Sequence, residues 1–275
     1  MKKATLVLAV FAMLGAAVYA GPEQYSGKDM KQVAPAPPAC PTWTGFYVGG
    51  FAGYKFSSVD TNLDLTGLWD TQFPEGRDAV EAAAPHDLDN SGFEAGGLLG
   101  YNYQWHNWVF GVEADAAYLW AHESDYVALV PVPNDPVDGY ALSTSFRTRY
   151  LATFAPRIGY TFCRWMPYVT GGLAVGQLDY SQDILNVISP AATGFTFDEQ
   201  GSKTETKVGW MVGGGLEYAV TDHWRVRGQY QFIDLGSISF DTAGTGNSPG
   251  LEGFTGHHEA SLREHNASFA IIYGF

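Results

Sequence analysis

The amino-acid sequence predicts an all-β fold: an eight-stranded antiparallel transmembrane β-barrel with short periplasmic turns and four long outer loops. Eight segments of roughly ten to fifteen residues alternate in polarity with the period of two that a β-strand has. Their connections are alternately short and long, so all the long ones emerge at one end, as in outer-membrane barrels. After residue 20 no apolar run reaches the length of a transmembrane helix. A mature chain that crosses a membrane must therefore cross it as a closed barrel.

The first four segments place large apolar side chains on one parity and small or charged ones on the other. In the first, Phe46, Val48 and Tyr54 oppose Gly53 and Lys55. The segments read WTGFYVGGFAGYKF, GFEAGGLLGYNYQW, WVFGVEADAAYLW and SFRTRYLATFAPRIGY. An aromatic face suits lipid, and a face of glycines and charges suits a narrow polar interior. A soluble lipocalin-like barrel would have the opposite arrangement.

The last four segments repeat this rhythm and read PYVTGGLAVGQLDY, TKVGWMVGGGLEYA, WRVRGQYQFIDLG and ASFAIIYGF. The pattern does not assign the faces of the first of these. The final segment sets Phe269, Ile271, Tyr273 and Phe275 on every second position. Because hydrocarbon permits no free sheet edge, this strand must close against the first strand, with its aromatic row in the bilayer. We also interpret this row as the signal that the outer-membrane assembly machinery recognises.

The connections fall into two sets by length. Short ones lie near residues 106, 163 and 221, and long ones span about 60–91, 121–143, 182–205 and 241–263. Near the strand ends lie four tryptophans that we expect in the aromatic belts at the membrane surfaces: Trp108, Trp120, Trp210 and Trp224. The long loops hold 19 of the 29 acidic residues, so the outer rim is predicted to be strongly negative. Such a rim either provides solubility and shielding or concentrates cations and basic partners.

Three regions follow along the chain: a signal peptide (1–20), a Pro-rich periplasmic linker (21–42) and the outer-membrane β-barrel (43–275). Lys2 and Lys3 precede an apolar run, and VYA before Gly21 supplies the small residues of a cleavage site. The alternative, a membrane anchor, needs a longer apolar run. The linker contains APAPPACP and lacks apolar periodicity, which is typical of an extended segment.

The charge balance excludes one class of partner. The formal net charge is −14, and removal of residues 1–20 leaves 13 basic residues against 29 acidic ones, or −16. Nucleic acid is not an expected partner, because phosphate binding needs basic patches.

Four stretches in chain order carry a resemblance to a known family: WTGFYVGGFAGY, FGVEADAAY, YVTGGLAVG and VGWMVGGGLEYAVTDHWRVRGQYQFIDLG. They resemble the OmpA-like outer-membrane β-barrel domains of the small porin-like surface-antigen family of alphaproteobacteria. The resemblance spans residues 43–275 and diverges in the long loops. It implies an eight-stranded barrel that is abundant in the outer membrane, with structural, surface-antigen or narrow-pore roles.

Charged residues on the glycine parity predict an interior ion-pair network. Across a narrow closed barrel these groups must pair, because an unpaired buried charge is costly. Such a network would either plug the lumen or form a gated, narrow path for cations, since eight strands leave room for side chains but not for a wide channel. The predicted network comprises Glu94, Glu113, Asp115, Arg147, Arg149, Arg157, Glu217, Arg225 and Arg227.

The two cysteines, Cys40 and Cys163, are predicted to form a disulfide, because an exported chain meets an oxidising compartment. Free thiols are the alternative. Both cysteines lie at the predicted periplasmic end, so a bridge would hold the linker as a lid under the lumen.

Neither a catalytic nor a metal site is predicted, and no cofactor is expected. Four histidines lie on predicted outer loops at spacings that match no metal motif: His86, His122, His257 and His258. The cluster of His122, Ser124 and Asp125 lacks a nucleophile motif, so an enzyme is not expected.

The expected function is a structural and surface-exposed role in the outer membrane. A narrow cation-preferring porin and a loop-mediated adhesin or ligand binder are the alternatives. The expected partners are outer-membrane lipid and lipopolysaccharide, the assembly machinery during insertion, and a host or surface ligand at the outer loops.

Overall fold

The computed structural model describes residues 40–89, 91–132, 135–188, 197–246 and 253–275. The predicted signal peptide and the predicted linker before residue 40 lie outside these residues. The described strands are β1 (Gly45–Gly67), β2 (Asp87–Asp89), β3 (Gly92–Trp105), β4 (Trp108–Val132), β5 (Asp135–Tyr160), β6 (Trp165–Ile188), β7 (Phe197–Ala219), β8 (Trp224–Gly246) and β9 (Phe254–Gly274). The helices are α1 (Leu68–Thr71) and α2 (Pro74–Ala83).

The strands form one antiparallel sheet that closes on itself. Each strand from β3 to β9 pairs with the next, β1 pairs with β3, and β9 pairs back onto β1. The β1–β9 ladder runs from Tyr47 opposite Gly274 to Gly67 opposite Phe254. Closure gives the backbone groups of the first and last strands their partners.

The described residues form nine strands where the sequence predicted eight. The additional strand is β2, which pairs with β1 in the same register as β3 does. Ser58 is opposite Asp89 in β2, and Lys55 is opposite Gly92 in β3. The second predicted strand corresponds to β3, and β2 lies in the stretch that the sequence assigned to the first long loop.

The outer face carries an apolar band between two aromatic girdles. We call the end with the short connections after β3, β5 and β7 the turn end, and the opposite end the hairpin end. Exposed aliphatic side chains between the girdles include Leu99, Leu173, Val212 and Ile271. Exposed aromatic side chains at the turn end include Trp105, Trp108, Phe162, Trp165 and Trp224, and those at the hairpin end include Phe56, Phe93, Trp120, Tyr150 and Trp210. This pattern is typical of a barrel wall in a membrane.

The predicted long loops are largely strand. The residues described in 121–143, 182–205 and 241–263 belong mainly to strands that continue beyond the girdle at the hairpin end. Their surface is polar, which is why the sequence indicated loops. Inward-facing residues such as Leu142 and Ile184 nevertheless stay buried. The alternation that defines a half-buried wall therefore persists beyond the apolar band.

Two helices that were not predicted lie between β1 and β2. Pro74 begins α2 at a position where its missing N–H group needs no partner. Trp69 of α1 and Val80 of α2 are fully buried against inward-facing residues such as Tyr140 and Ile184. The helices thus cap the hairpin end. In the described part of the chain, no helix has both the length and the apolar character needed to span a membrane.

Register shifts in the wall change which side chains face inward. The β4–β5 ladder shifts between Tyr118 and Ala121, and the β5–β6 ladder shifts between Thr148 and Leu151. Phe146 and Thr148 face the interior before the shift, and Leu151 does so after it. A β-bulge inserts a residue and so reverses the parity of every position beyond it.

Candidate functional site

The interior of the barrel is the candidate functional site, because most of the sequence-predicted residues converge there. At the turn end, Cys40 and Cys163 form a disulfide that fixes the residues preceding β1. Trp43 is fully buried with Val109, Met166 and Tyr168. The short segment 40–44 therefore closes this end of the lumen.

Two further contacts hold Trp43 in place. Its indole N–H donates to the Cys163 carbonyl oxygen at 3.2 Å, and its backbone N–H donates to Gln104 Oε1 at 2.9 Å. The Arg225 guanidinium lies 4.6 Å from the centre of the Trp43 ring. It also donates to the Thr42 carbonyl oxygen at 3.3 Å. Arg225 was predicted in the ion-pair network, but it contacts the closing segment instead.

Next along the lumen lies a core of two arginines and two glutamates from four different strands. Arg227 donates to both carboxylate oxygens of Glu113, at 2.7 and 2.5 Å, and its Nε donates to Glu217 at 2.9 Å. Arg157 donates to Glu113 at 3.0 Å and to Glu217 at 2.5 Å. All four side chains are buried. Their charges sum to zero, and the bidentate geometry is the strongest that a guanidinium forms.

Uncharged side chains complete this four-residue core. The Tyr47 hydroxyl donates to Glu113 at 2.7 Å. The Tyr168 hydroxyl donates to Gln229 Oε1 at 2.5 Å, and the Tyr168 ring lies 4.3 Å from the Arg157 guanidinium carbon. A cavity of about 10 Å³ beside Glu113 has roughly the space of one water molecule. The core is therefore packed and hydrogen-bonded.

Asp115 and Glu94, also predicted in the network, face the interior and accept hydrogen bonds from neutral side chains. Asp115 accepts a hydrogen bond from the Thr153 hydroxyl at 2.5 Å. Glu94 accepts one from the Asn266 amide at 3.0 Å. Both lie on the hairpin side of the four-residue core, and neither takes part in its ion pairs.

A second buried ion pair, between Lys55 and Glu264, was missed. The sequence pattern puts Lys55 on the charged parity of the first strand, but it begins the last strand at Ala267 and so leaves Glu264 outside it. Extending the alternation back from Phe269 puts Glu264 on the inward parity. That signal was present in the sequence.

Arg147 and Arg149 do not belong to the network, and this prediction was wrong. Phe146 and Thr148 take the inward positions, while Arg149 is exposed and its Nε lies 2.6 Å from Asp179 Oδ2. Arg147 is opposite Asp179 in the β5–β6 ladder, on the same outer face. The register shifts at β4–β5–β6 are the cause, because they reverse the parity that the sequence pattern carries.

Beyond the charged core, toward the hairpin end, the lumen is filled by an apolar cluster. It contains Leu119, Phe146, Met211, Ile233 and Leu262, each at most 2% exposed. Residues from both sides of the barrel contribute, so the cluster crosses the lumen. Burying this many large apolar side chains excludes water from this level.

A polar cluster follows beneath the helical cap. Glu199 accepts hydrogen bonds from the Trp69 indole N–H at 3.2 Å and from the Thr242 hydroxyl. His258 Nε2 lies 2.8 Å from the same hydroxyl, and its Nδ1 lies 3.1 Å from Gln182 Oε1. Burial raises the pKa of Glu199. Burial, with a smaller contribution from the neighbouring His257, lowers the pKa of His258 to about 4.

The neighbouring His257 does not form a site with His258. His257 is exposed, and its Nδ1 lies 2.6 Å from Asp241 Oδ1. Among the residues that the structure describes, no group of three histidine, cysteine or acidic side chains could hold a metal ion. His122 is described only in its backbone.

The terminal row lies on the outer face of β9. Phe269, Ile271 and Phe275 are exposed in the apolar band or the turn-end girdle. Tyr273 is half-buried between the rings of Trp224 and Phe275, at 5.1 and 5.3 Å. The Phe275 N–H donates to the Phe46 carbonyl oxygen at 3.0 Å, which ties the last residue to β1.

A closed antiparallel barrel with an apolar outer band and a filled interior defines the class of integral β-barrel membrane proteins. The chain belongs to the outer membrane protein beta-barrel domain family, which matches residues 6–263. The protein is therefore a β-barrel of the outer membrane, as the sequence predicted.

Relatives with known cellular locations agree with this. The chain is 30% identical over 210 residues to the 31 kDa outer-membrane immunogenic protein of Brucella melitensis biotype 1, covering 73% of this chain and 76% of that protein. It is 27% identical over 204 residues to the 25 kDa outer-membrane immunogenic protein of Brucella abortus biovar 1, covering 74% and 71%. It is 28% identical over 210 residues to the 22 kDa outer membrane protein of Rhizobium leguminosarum bv. viciae, covering 76% and 72%.

Proposed function

We propose that this protein is a closed, structural barrel whose eight long strands cross the outer membrane and whose hairpin end is exposed at the cell surface. The observation that carries the proposal is the filling of the lumen at successive levels. These levels are the Trp43 closure, the charged core around Arg227, the apolar cluster around Phe146 and the cap around Trp69. A solute would have to displace all of them, so the barrel does not conduct.

The proposed orientation places the short turns in the periplasm and the hairpins outside. The disulfide at the turn end then lies in an oxidising compartment. The hairpins carry most of the acidic residues, which suits a hydrated cell surface. The relatives in Brucella are described as immunogenic, and this supports a surface-antigen role here.

The test is single-channel conductance of the refolded, oxidised protein in planar bilayers, repeated after reduction. We expect silence in both states, because reduction frees only the closing segment and three filled levels remain. The variant Trp43→Ala should also be silent. Its matched control is Trp224→Ala, which removes an exposed indole from the outer face. Cation-selective openings, above all ones that appear only after reduction, would establish a gated pore instead.

A second candidate function is the binding of a basic ligand or surface partner by the outer hairpins. Acidic residues concentrated there favour it, because a negative rim attracts cationic groups. Binding that is lost when residues 247–252, between β8 and β9, are deleted, while the barrel still folds, would establish this role. No reaction is proposed for the protein.

We further propose that residues 1–20 are removed on export and that the terminal row of β9 is recognised during insertion. Phe275→Ala should slow assembly into the outer membrane without changing the stability of the folded barrel. Val220→Ala, which shortens another exposed apolar residue at the turn end, is the control. Equal assembly of both variants would contradict the recognition.

A further inference from the structure

Two adjoining recesses mark the outer face near the hairpin-end girdle, where β4, β5, β6 and β7 lie side by side. The first has a volume of about 440 Å³, and its exposed lining includes Ala116, Ala152 and Val175. The second has a volume of about 270 Å³ and lies further toward the hairpin end. Both are open to the surroundings of the barrel, and Tyr180 of the apolar cluster contributes to the lining of the second.

The first recess has the dimensions and polarity of a site for an acyl chain. Ala116 and Ala152 are opposite each other in the β4–β5 ladder, and Ala152 is opposite Val175 in the next ladder. Large exposed side chains flank these small residues, with Tyr150 on the hairpin side and Phe154 on the turn side. Small residues between large ones leave a groove within the band that faces lipid.

The second recess is basic and rich in hydroxyl groups. Its lining includes Arg147, Arg149 and Lys203 with a single carboxylate, Asp179. Ser145, Ser181, Ser202 and Thr204 line it as well. Asp179 pairs with Arg149. Lys203 donates to the Ser239 carbonyl oxygen at 2.8 Å and lies 3.3 Å from Glu205 Oε2, just outside the lining. The lining carries three cations and one carboxylate, so its charge is +1 when Glu205 is included, whereas the hairpins around it are strongly acidic. Arginines with hydroxyl groups are typical of phosphate recognition.

Neighbouring positions of the same strands line the two recesses. On β5, Arg149 lines the basic recess and the next residue, Tyr150, lines the apolar one. On β7, Thr204 lines the basic recess and Thr206, two residues further on, lines the apolar one. Tyr150 belongs to the girdle that marks the membrane surface. A bound molecule would therefore have an anionic group just outside the apolar band and an acyl chain within it.

We propose that this bipartite surface binds the lipid A part of lipopolysaccharide, with a phosphate against Arg147 and Arg149 and an acyl chain against Ala152. This assignment rests on the proposed orientation, in which the hairpin end faces the outer leaflet. Lipid A combines phosphates with several acyl chains. On one face, the surface offers a basic recess for a phosphate and an apolar recess for an acyl chain. The acidic hairpins elsewhere would repel such a phosphate, which confines binding to this face.

The test is titration of the full-length, oxidised protein in detergent with purified lipid A, followed by native mass spectrometry. We expect Arg147→Gln with Arg149→Gln to weaken binding at least fivefold. The control is Arg263→Gln, which removes an exposed arginine elsewhere on the hairpin end. Dephosphorylated lipid A should bind as weakly to the native protein as intact lipid A does to the double variant.

A second variant tests the acyl groove. Ala152→Trp should weaken binding, whereas Ala52→Trp, at an exposed position on β1, should not. Retained affinity in both variant sets, or equal affinity for phosphatidylglycerol, would overturn the assignment to lipid A. Conductance is measured separately on the same samples. An open pore would refute the proposed structural role, whereas the lipid A assignment would still be judged by the binding measurements.

Discussion

Arg227 illustrates how a single residue can hold a buried charge in a membrane-spanning lumen. It bonds both glutamates of the core and shares them with Arg157. Replacing a complete buried network by apolar groups can be neutral, but removing one partner leaves charges without compensation. Every member of the core therefore depends on the others.

We predict that Arg227→Met lowers the free energy of unfolding by about 3–5 kcal/mol, because Glu113 and Glu217 are left with Arg157 as their one cation in the core. Urea unfolding in lipid vesicles measures this. Arg149→Met, which breaks an exposed pair with Asp179, should cost about 0–1 kcal/mol. Adding Glu113→Gln to Arg227→Met should restore part of the loss. If Arg227→Met and Arg149→Met lowered the free energy of unfolding equally, the buried core would have no special role in stability.

His258 gives the hairpin end a dependence on pH. Its pKa is lowered to about 4 in the folded protein by burial, against an ordinary value of 6.5. As the pH falls from 6.5 to 4, the unfolded chain binds a proton that the folded chain does not, so stability falls across this window. Glu199 works in the opposite direction, because burial raises its pKa and a fall in pH then favours the folded state.

We predict that His258→Gln removes the part of this acid sensitivity that comes from the histidine. The native protein should lose stability relative to the variant between pH 6.5 and pH 4, with the difference levelling off below pH 4. Urea unfolding over that range measures the difference, and His223→Gln at the turn end is the control. A constant difference between His258→Gln and the native protein would refute the assignment.

At the scale of elements, register shifts decide which face a side chain occupies. The sequence placed Arg157 inside correctly, since the alternation from Leu151 to Arg157 is unbroken. It placed Arg147 and Arg149 inside wrongly, because the shift between Thr148 and Leu151 lies between them and the rest of β5. A bulge follows from the pairing of two strands, so neither strand alone reveals it.

The helices α1 and α2 show a second limit at this scale. Their sequence is polar and lies in a stretch that the pattern assigns to a loop. Trp69 and Val80 are buried because β5, β6 and β9 supply the apolar partners Tyr140, Ile184 and Phe254. Those partners are distant in sequence, so the helical segment alone does not reveal them. Short helices of this kind depend on tertiary packing, since they are marginal in isolation.

At the scale of the whole molecule, one wall has three surroundings: the filled lumen, lipid and the cell exterior. The apolar band lies between the two aromatic girdles, and the strands continue beyond it as a polar extension. Leu173 is exposed midway in the band, whereas Val220 is exposed at the turn end. The position of the membrane follows from this contrast.

We predict that Leu173→Arg lowers the free energy of unfolding in a bilayer by about 2–4 kcal/mol, because its charge would lie near the midplane. Val220→Arg should cost about 0–1 kcal/mol, because it lies near an interface. Urea unfolding in vesicles distinguishes them. In detergent micelles the gap should shrink, and a gap of equal size in both media would argue against the proposed depth.

The sequence by itself determined the antiparallel barrel, its outward apolar row, the short connections and the central charges Glu113, Arg157, Glu217 and Arg227. Most of these follow from a period of two that any single strand displays. Only the tertiary structure decided the continuation of the strands into the predicted long loops, the outward turn of Arg147 and Arg149, the pairing of Lys55 with Glu264 and the helical cap at the hairpin end. Each of these depends on which residues meet across strands, and strand register is set by the whole ring rather than by local sequence.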